Sequence, residues 1–187
     1  MEKNVDREFE YALAWHCAPS LWGLKPADLI CCPDREDWRE VLGYYANILA
    51  LRGVRMRVLG HSGKGMLLLI YRPGQLDDCL KEPTAAQMLA RAGYPQGAGT
   101  HALLCHLSTR LAARGFPHEI GLFLGYPPED VAGFCRDGGR GCRYSGAWKV
   151  YGDVEQAKRR FGAYHRCRAA MTGRLNRGEG LEQVLPA

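Results

Sequence analysis

Apolar and polar positions in this chain repeat with two different periods, and the changes of period mark its elements. Phe9, Ala12, Leu13 and His16 recur at helical spacing with acidic residues early in the run, which predicts an opening helix. Pro19, Gly23 and Pro26 in HCAPSLWGLKPADL break it. A second helix is expected from about Asp34 to Leu51, with Pro33-Asp34 as its start and Gly53 as its stop. Trp38, Val41, Leu42, Tyr45, Ile48 and Leu49 form its buried stripe. The period then drops to two. Val54, Met56 and Val58 alternate with Arg55 and Arg57 as in a half-buried strand, while Met66 to Tyr71 is continuously apolar, as a central strand would be. The glycine-rich GHSGKG between them reads as the turn of a β-hairpin. It is not a phosphate loop, because Gly60 and Gly63 stand too close together and a strand rather than a helix follows.

Helical spacing returns beyond the hairpin. Thr84 with Gln87 suggests a capping box for a helix from Thr84 to Ala92, and Thr100 is placed to cap another reaching Arg114, with Leu103, Leu104, Leu107 and Leu111 as its apolar face. Gly93-Tyr94-Pro95 and Gly125-Tyr126-Pro127 are matching helix stops. Pro117 to Leu124 therefore reads as a short buried helix with a first-turn proline, although IGLFL is short enough to be a strand. Glu129 to Cys135 should form a further short helix, and Ala147 to Tyr151 a strand. Asp153 with Gln156 caps the last helix, whose face carries Val154, Ala157, Phe161, Tyr164 and Met171. The pattern is lost after Gly173. The expectation is a mostly helical α+β domain over residues 1–173, packed on a small sheet of three or four strands that includes a β-hairpin, with a frayed tail over 174–187.

Composition narrows this picture modestly. With 187 residues, 47% apolar and 24% charged, the chain has the make-up of a globular protein of one domain. No apolar run approaches the roughly 20 residues of a membrane-spanning helix. The first residues are charged and acidic where an export signal needs a basic start and an apolar middle, so a cytoplasmic location is expected. In that compartment the eight cysteines should stay reduced, and no C-x-x-C pair suggests a zinc ribbon. Nine basic and four acidic side chains lie between Arg143 and Ala187, which accounts for the whole net charge of +5. A basic terminal helix of this kind can meet a protein or an anionic partner, but the excess is small and nucleic acid is an unlikely one.

Several residues carry candidate chemistry. His118-Glu119 follows a proline, yet Leu122 stands where a zinc-protease motif would place its second histidine. The pair is then a helix start, with Glu119 favoured as an anion there. Adjacent residues diverge by about 100°, so the two do not readily face one site. His16-Cys17, with Lys25 nearby, could form a nucleophile or ligand cluster, because a neighbouring positive charge lowers a thiol's pKa; a packed, inert thiol is the alternative. Cys32-Pro33 is the dipeptide of cysteine-ligated haem-responsive sites and reads equally well as a loop. His101 and Cys105, four residues apart on one helix, could share a metal ion, a spacing that chance also produces. Trp148 and Lys149 interleave aromatic and basic character on a strand, which suits base stacking or simply a half-buried strand.

HCAPSLWGLKPADL, FPHEIGLFLGYPPEDVAGF and GAWKVYGDVEQAKRRFGAYHRCR, in this order and spacing, resemble the bacterial family catalogued as domain of unknown function 3793, over about Phe9 to Arg168. The resemblance implies a cytoplasmic bacterial protein and assigns no activity, cofactor or catalytic residue. Its blocks hold His16, Cys17, Lys25, His118, Glu119, Trp148 and Lys149, which make up the candidate site. The expectation is a polar site where the HCAP loop meets the PHE helix start. It would bind a metal through Cys17 and His118, a haem-type iron or a small redox ligand, or use Cys17 as a nucleophile. The alternative is a non-catalytic binding or regulatory module whose basic C-terminal helix meets a protein or nucleic-acid partner; for the partner in general, a small ligand or a protein is expected and a membrane is not.

Overall fold

The structure, a computed structural model, describes residues 6–113 and 115–186. Among them are ten helices and five strands, and the chain divides into two compact units, residues 1–72 with 164–187 and residues 73–163. The class is α+β, as the hydrophobic periods indicate.

The first unit begins with α1 (Arg7–His16), whose amide at Phe9 donates to the Asp6 carboxylate at 2.9 Å and so caps the helix. Cys17 closes α1 and opens α2 (Ala18–Leu21), in which Pro19 occupies the first turn. Strand β1 (Ala27–Cys32) follows, then α3 (Trp38–Ala50), β2 (Arg55–Ser62) and β3 (Gly65–Tyr71). The three strands form one antiparallel sheet in the order β1-β3-β2, with Cys32 opposite Met66 and Arg55 opposite Tyr71. The expected hairpin is therefore present. Its turn glycine has a specific steric reason, because Gly65 has φ +129° and a Cβ there would lie 2.1 Å from the Cys32 carbonyl oxygen.

One face of the sheet packs Ile30, Cys32, Leu68 and Ile70 against Phe9, Leu13, Tyr45 and Leu49, with Cys167 and Met171 from the last helix in the same core. The alternation expected in β2 breaks at a bulge between Val58 and Gly60. The extra residue moves Leu59 inward, to 3% exposure, and turns Val58 outward, to 41%. Strand β1 itself was not anticipated, since Gly23 and Pro26 mark a loop before it and ADLICC shows neither the alternation of β2 nor the unbroken aliphatic run of β3.

Over its described residues, 174–186, the C-terminal segment read as frayed is folded. The last helix, α9 (Val154–Asn176), passes the unit boundary and runs beyond Gly173, and α10 (Leu181–Val184) follows it. Leu181, Val184 and Leu185 are buried in the core. The Leu181 amide donates to Glu10 at 3.1 Å, and the Arg7 guanidinium donates to the carbonyls of Glu179 and Gly178 at 2.7 and 3.2 Å. Three well-spaced leucine and valine positions sufficed to dock it, too few to produce a visible period.

The second unit stacks α4 (Pro73–Lys81), α5 (Pro83–Arg91), α6 (Thr100–Ala112), α7 (Ile120–Phe123) and α8 (Pro128–Asp137), with the small hairpin of β4 (Tyr144–Ser145) and β5 (Lys149–Val150) leading into α9. Leu76, Leu80, Leu89, Leu104, Leu107, Leu122 and Phe123 are among its buried side chains. The cap of α5 is Glu82, whose carboxylate accepts from the Ala85 amide at 2.8 Å, and not Thr84, because Pro83 already holds the first helical position. Thr100 is likewise one residue inside α6, behind Gly99, and its hydroxyl donates to Asp77 at 2.9 Å. The expected end of α6, Arg114, lies outside the described residues. Gly93 and Gly125 stop their helices with φ +88° and +73°, as their glycine-proline spacing indicates. Asp153 accepts from the Gln156 amide at 2.9 Å and starts α9.

Candidate functional site

The candidate residues fall into two groups, one in each unit: His16, Cys17 and Lys25 in the first, and His118, Glu119, Trp148 and Lys149 in the second. In the first group, the junction of α1 and α2 turns Cys17 into the core, 0% exposed, and leaves His16 at the surface. Lys25 is buried and its ammonium contacts the Asp28 carboxylate at 2.7 Å, with side-chain exposures of 7% and 11%. Asp28 also accepts from the Ser20 amide at 3.1 Å, and the Ser20 hydroxyl donates to the Cys17 carbonyl at 3.1 Å. The Lys25 ammonium lies 5.8 Å from the centroid of the Tyr164 ring. This is a satisfied structural network around the loop.

Its electrostatics keep the Cys17 thiol protonated. Burial pushes the thiol's pKa well above its ordinary 9.0, and the Asp28 carboxylate pushes the same way, outweighing the opposing pull of Lys25 and Arg168. Lys25 is thus near, as its position suggested, but its charge is met by Asp28. His16 is moved down, by burial first and by the Arg168 charge second. Cys32 faces the core from β1, where burial raises its thiol to about 11. The Cys32-Pro33 dipeptide is a strand end.

In the second group, His118 and Glu119 diverge. Glu119 is buried; its Oε1 accepts from the Tyr94 hydroxyl at 3.2 Å and from the Arg110 guanidinium, which also donates to the Ala92 carbonyl at 3.2 Å. It ties the start of α7 to the end of α6 and makes no side-chain cap. His118 is exposed and meets the Phe134 ring edge-on at 4.9 Å.

His118 also lines an open cleft of about 470 Å³ with Phe116, Tyr126, Phe134, Trp148 and Lys149. Gly121 and Gly146 help to floor it. Side chains there would strike Val131 at 2.8 Å and the Phe161 ring at 2.2 Å. The cleft's aromatic wall is fixed by Asp130, which itself belongs to the lining. Trp148 stacks on Tyr126 at 4.8 Å and meets Phe161 edge-on at 4.5 Å. Its indole N–H donates to the buried Asp130 carboxylate at 2.7 Å, and the same carboxylate accepts from the amides of Tyr151 and Gly152 at 2.7 and 2.8 Å. Three donors on one buried carboxylate hold β5 against α8, since removing it would strand all three. Lys149 reaches along the rim and donates to the Ser145 hydroxyl at 2.9 Å.

Sequence reasoning named His118, Trp148 and Lys149 but missed Asp130, Tyr126 and Phe134. Asp130 is one of two acids in the first turn of α8, and nothing in its local pattern separates it from Glu129. A larger depression of about 660 Å³ between α4, α5 and the start of α6 contains none of the candidate site residues, and two of its charged residues, Asp77 and Lys81, pair at 2.6 Å. Among the described residues no three His, Cys, Asp or Glu side chains are grouped to hold a metal ion, and no helix is long and apolar enough to cross a membrane.

The fold thus defines a helix-rich α+β chain with two small antiparallel sheets and an aromatic cleft in its second unit. The chain belongs to the family described as protein of unknown function DUF3793, whose model matches residues 13–185. No curated protein and no solved structure matches it.

Proposed function

We propose that this protein is a non-catalytic binding module whose second unit takes a small, planar, largely apolar ligand carrying an anionic group. The observation that carries this reading is the aromatic cleft. Trp148 is locked by Asp130, whose carboxylate also lines the cleft but is taken up by three donors; Phe116, His118 and Phe134 line the same cleft, and Lys149 adds a cation to it. Such a shape suits a ring that stacks on the wall and an acid that meets the ammonium. The reading built on His16, Cys17, His118 and Glu119, with a metal, a haem-type iron or nucleophilic chemistry at Cys17, has less in its favour. Both metal binding and nucleophilic attack need a thiolate, which burial disfavours at Cys17, and Glu119 is engaged by Tyr94 and Arg110. A partner for the basic helix has no comparable cavity in its favour: Lys158 pairs with Glu155 and Arg174 with Glu179, while Arg159 and Arg166 are exposed. All eight cysteines are thiols, which fits a bacterial cytoplasm.

Anilinonaphthalene sulfonate, an aromatic anion whose fluorescence rises in apolar surroundings, tests the cleft directly. We expect one saturable site, with binding weakened several-fold by Lys149→Ala and by Phe116→Ala. Both side chains are exposed, so the fold is kept. Trp15→Ala, which alters an exposed aromatic of the first unit, should leave binding intact. Binding that ignores both cleft variants, or that is lost in the Trp15 variant, overturns the proposal.

A further inference from the structure

We infer that His101 and Cys105 form a two-donor site for a borderline divalent cation of the zinc type on the exposed side of α6. The inference is independent of the aromatic cleft. One helical turn separates the two residues, and their side chains converge, with Cys105 Sγ 3.5 Å from His101 Nε2. In a tetrahedral zinc site, with Zn–S about 2.3 Å and Zn–N about 2.0–2.1 Å, the sulfur and nitrogen lie about 3.6 Å apart. The two donor atoms therefore already stand at the separation of one edge of that tetrahedron.

The helix beneath them is rigidly held, because its opposite face buries Leu103, Leu104 and Leu107. Little order has to be created when the ion arrives, and ordering is a main cost of assembling a site. Thiolate and imidazole are both accepted by zinc-type ions, whereas magnesium and calcium prefer oxygen donors. Both residues are exposed, so the ion enters without any opening of the fold and keeps its remaining positions for water or a further ligand. Chemically the ion takes the place of a proton: the Cys105 thiol loses its hydrogen to solvent, the neutral imidazole donates its Nε2 lone pair, and no electron is transferred. Uptake accordingly weakens as the pH falls.

The test is titration of the reduced, full-length chain with cobalt(II), whose coordination by sulfur gives a thiolate-to-metal charge-transfer band. We expect a band that saturates at one equivalent and is displaced by zinc. It should be lost in Cys105→Ser and in His101→Ala and retained in Cys31→Ser and Cys135→Ser, which alter the other exposed thiols. Circular dichroism on the same samples establishes that the variants are folded. A missing band overturns the site, as does a band that survives either α6 substitution or disappears with Cys31 or Cys135.

Discussion

Three thiols in the first unit's core, Cys17, Cys32 and Cys167, give it a dependence on alkaline pH. Burial raises all three, Cys17 well above 9.0 and the other two to about 11. The unfolded chain releases these protons near pH 9, while the folded chain holds them. Their contribution is therefore fully present below about pH 9 and is lost as the pH rises through the folded values, by at most about 1.4 kcal/mol per pH unit for each group. We expect urea unfolding between about pH 8 and about pH 10 to show falling stability, with a shallower slope in Cys17→Ala. An unchanged slope would mean that Cys17 ionises freely in the folded state, contrary to its burial. At this scale Glu119 and Asp130 are informative too. Each is an acid inside the protein with its partners in place, and neither partner set is encoded near it in the chain: Glu119 answers to Tyr94 and Arg110, and Asp130 to Trp148, Tyr151 and Gly152.

Elements in the second unit approach closely where glycine allows it. A Cβ at Gly133 would fall 2.4 Å from the Tyr151 ring, so α8 and the strand that leads to Tyr151 meet backbone to ring. Gly133→Ala should force them apart and lower stability by about 1–3 kcal/mol. Gly43 provides the contrast. It lies inside α3 with nothing near its missing side chain, and Gly43→Ala should raise stability by about 0.5–1 kcal/mol through helix propensity. Chemical denaturation of the two variants beside the parent checks both signs. Helices were the most legible elements because they combine a long apolar stripe with a terminal stop, as α3 and α6 do. Strand β1 and helix α10 were missed because β1 shows no alternation and α10 is a single turn among polar residues, and the tertiary contacts of Ile30 and Leu181 are what secure them.

At the scale of the molecule, the cleft is wholly a property of the second unit. Every residue lining it, Asp130 included, and every hydrogen-bond partner of Asp130 lies within residues 73–163. That stretch is continuous in sequence, whereas the first unit needs both ends of the chain. A fragment of residues 73–163 is expected to fold as a helical unit and to bind the same aromatic anion with an affinity within a few-fold of the full chain. Circular dichroism and fluorescence titration decide this, and an unfolded fragment would show that the unit depends on the remainder for its core.

The sequence by itself determined the α+β class, the hairpin and most of the helices, because local period, proline and glycine positions and short-range caps act over a few residues. It also determined the family, through the order of its blocks, and it singled out His118, Trp148 and Lys149. Only the tertiary structure decided what those residues do. The same helix start that displays His118 in the cleft commits Glu119 to Arg110, and the same helix end that carries His16 at the surface buries Cys17 beside the Lys25–Asp28 pair. Burial and pairing are set by residues distant in the chain, and these fix whether a carboxylate or a thiol is a reactive group or part of the frame.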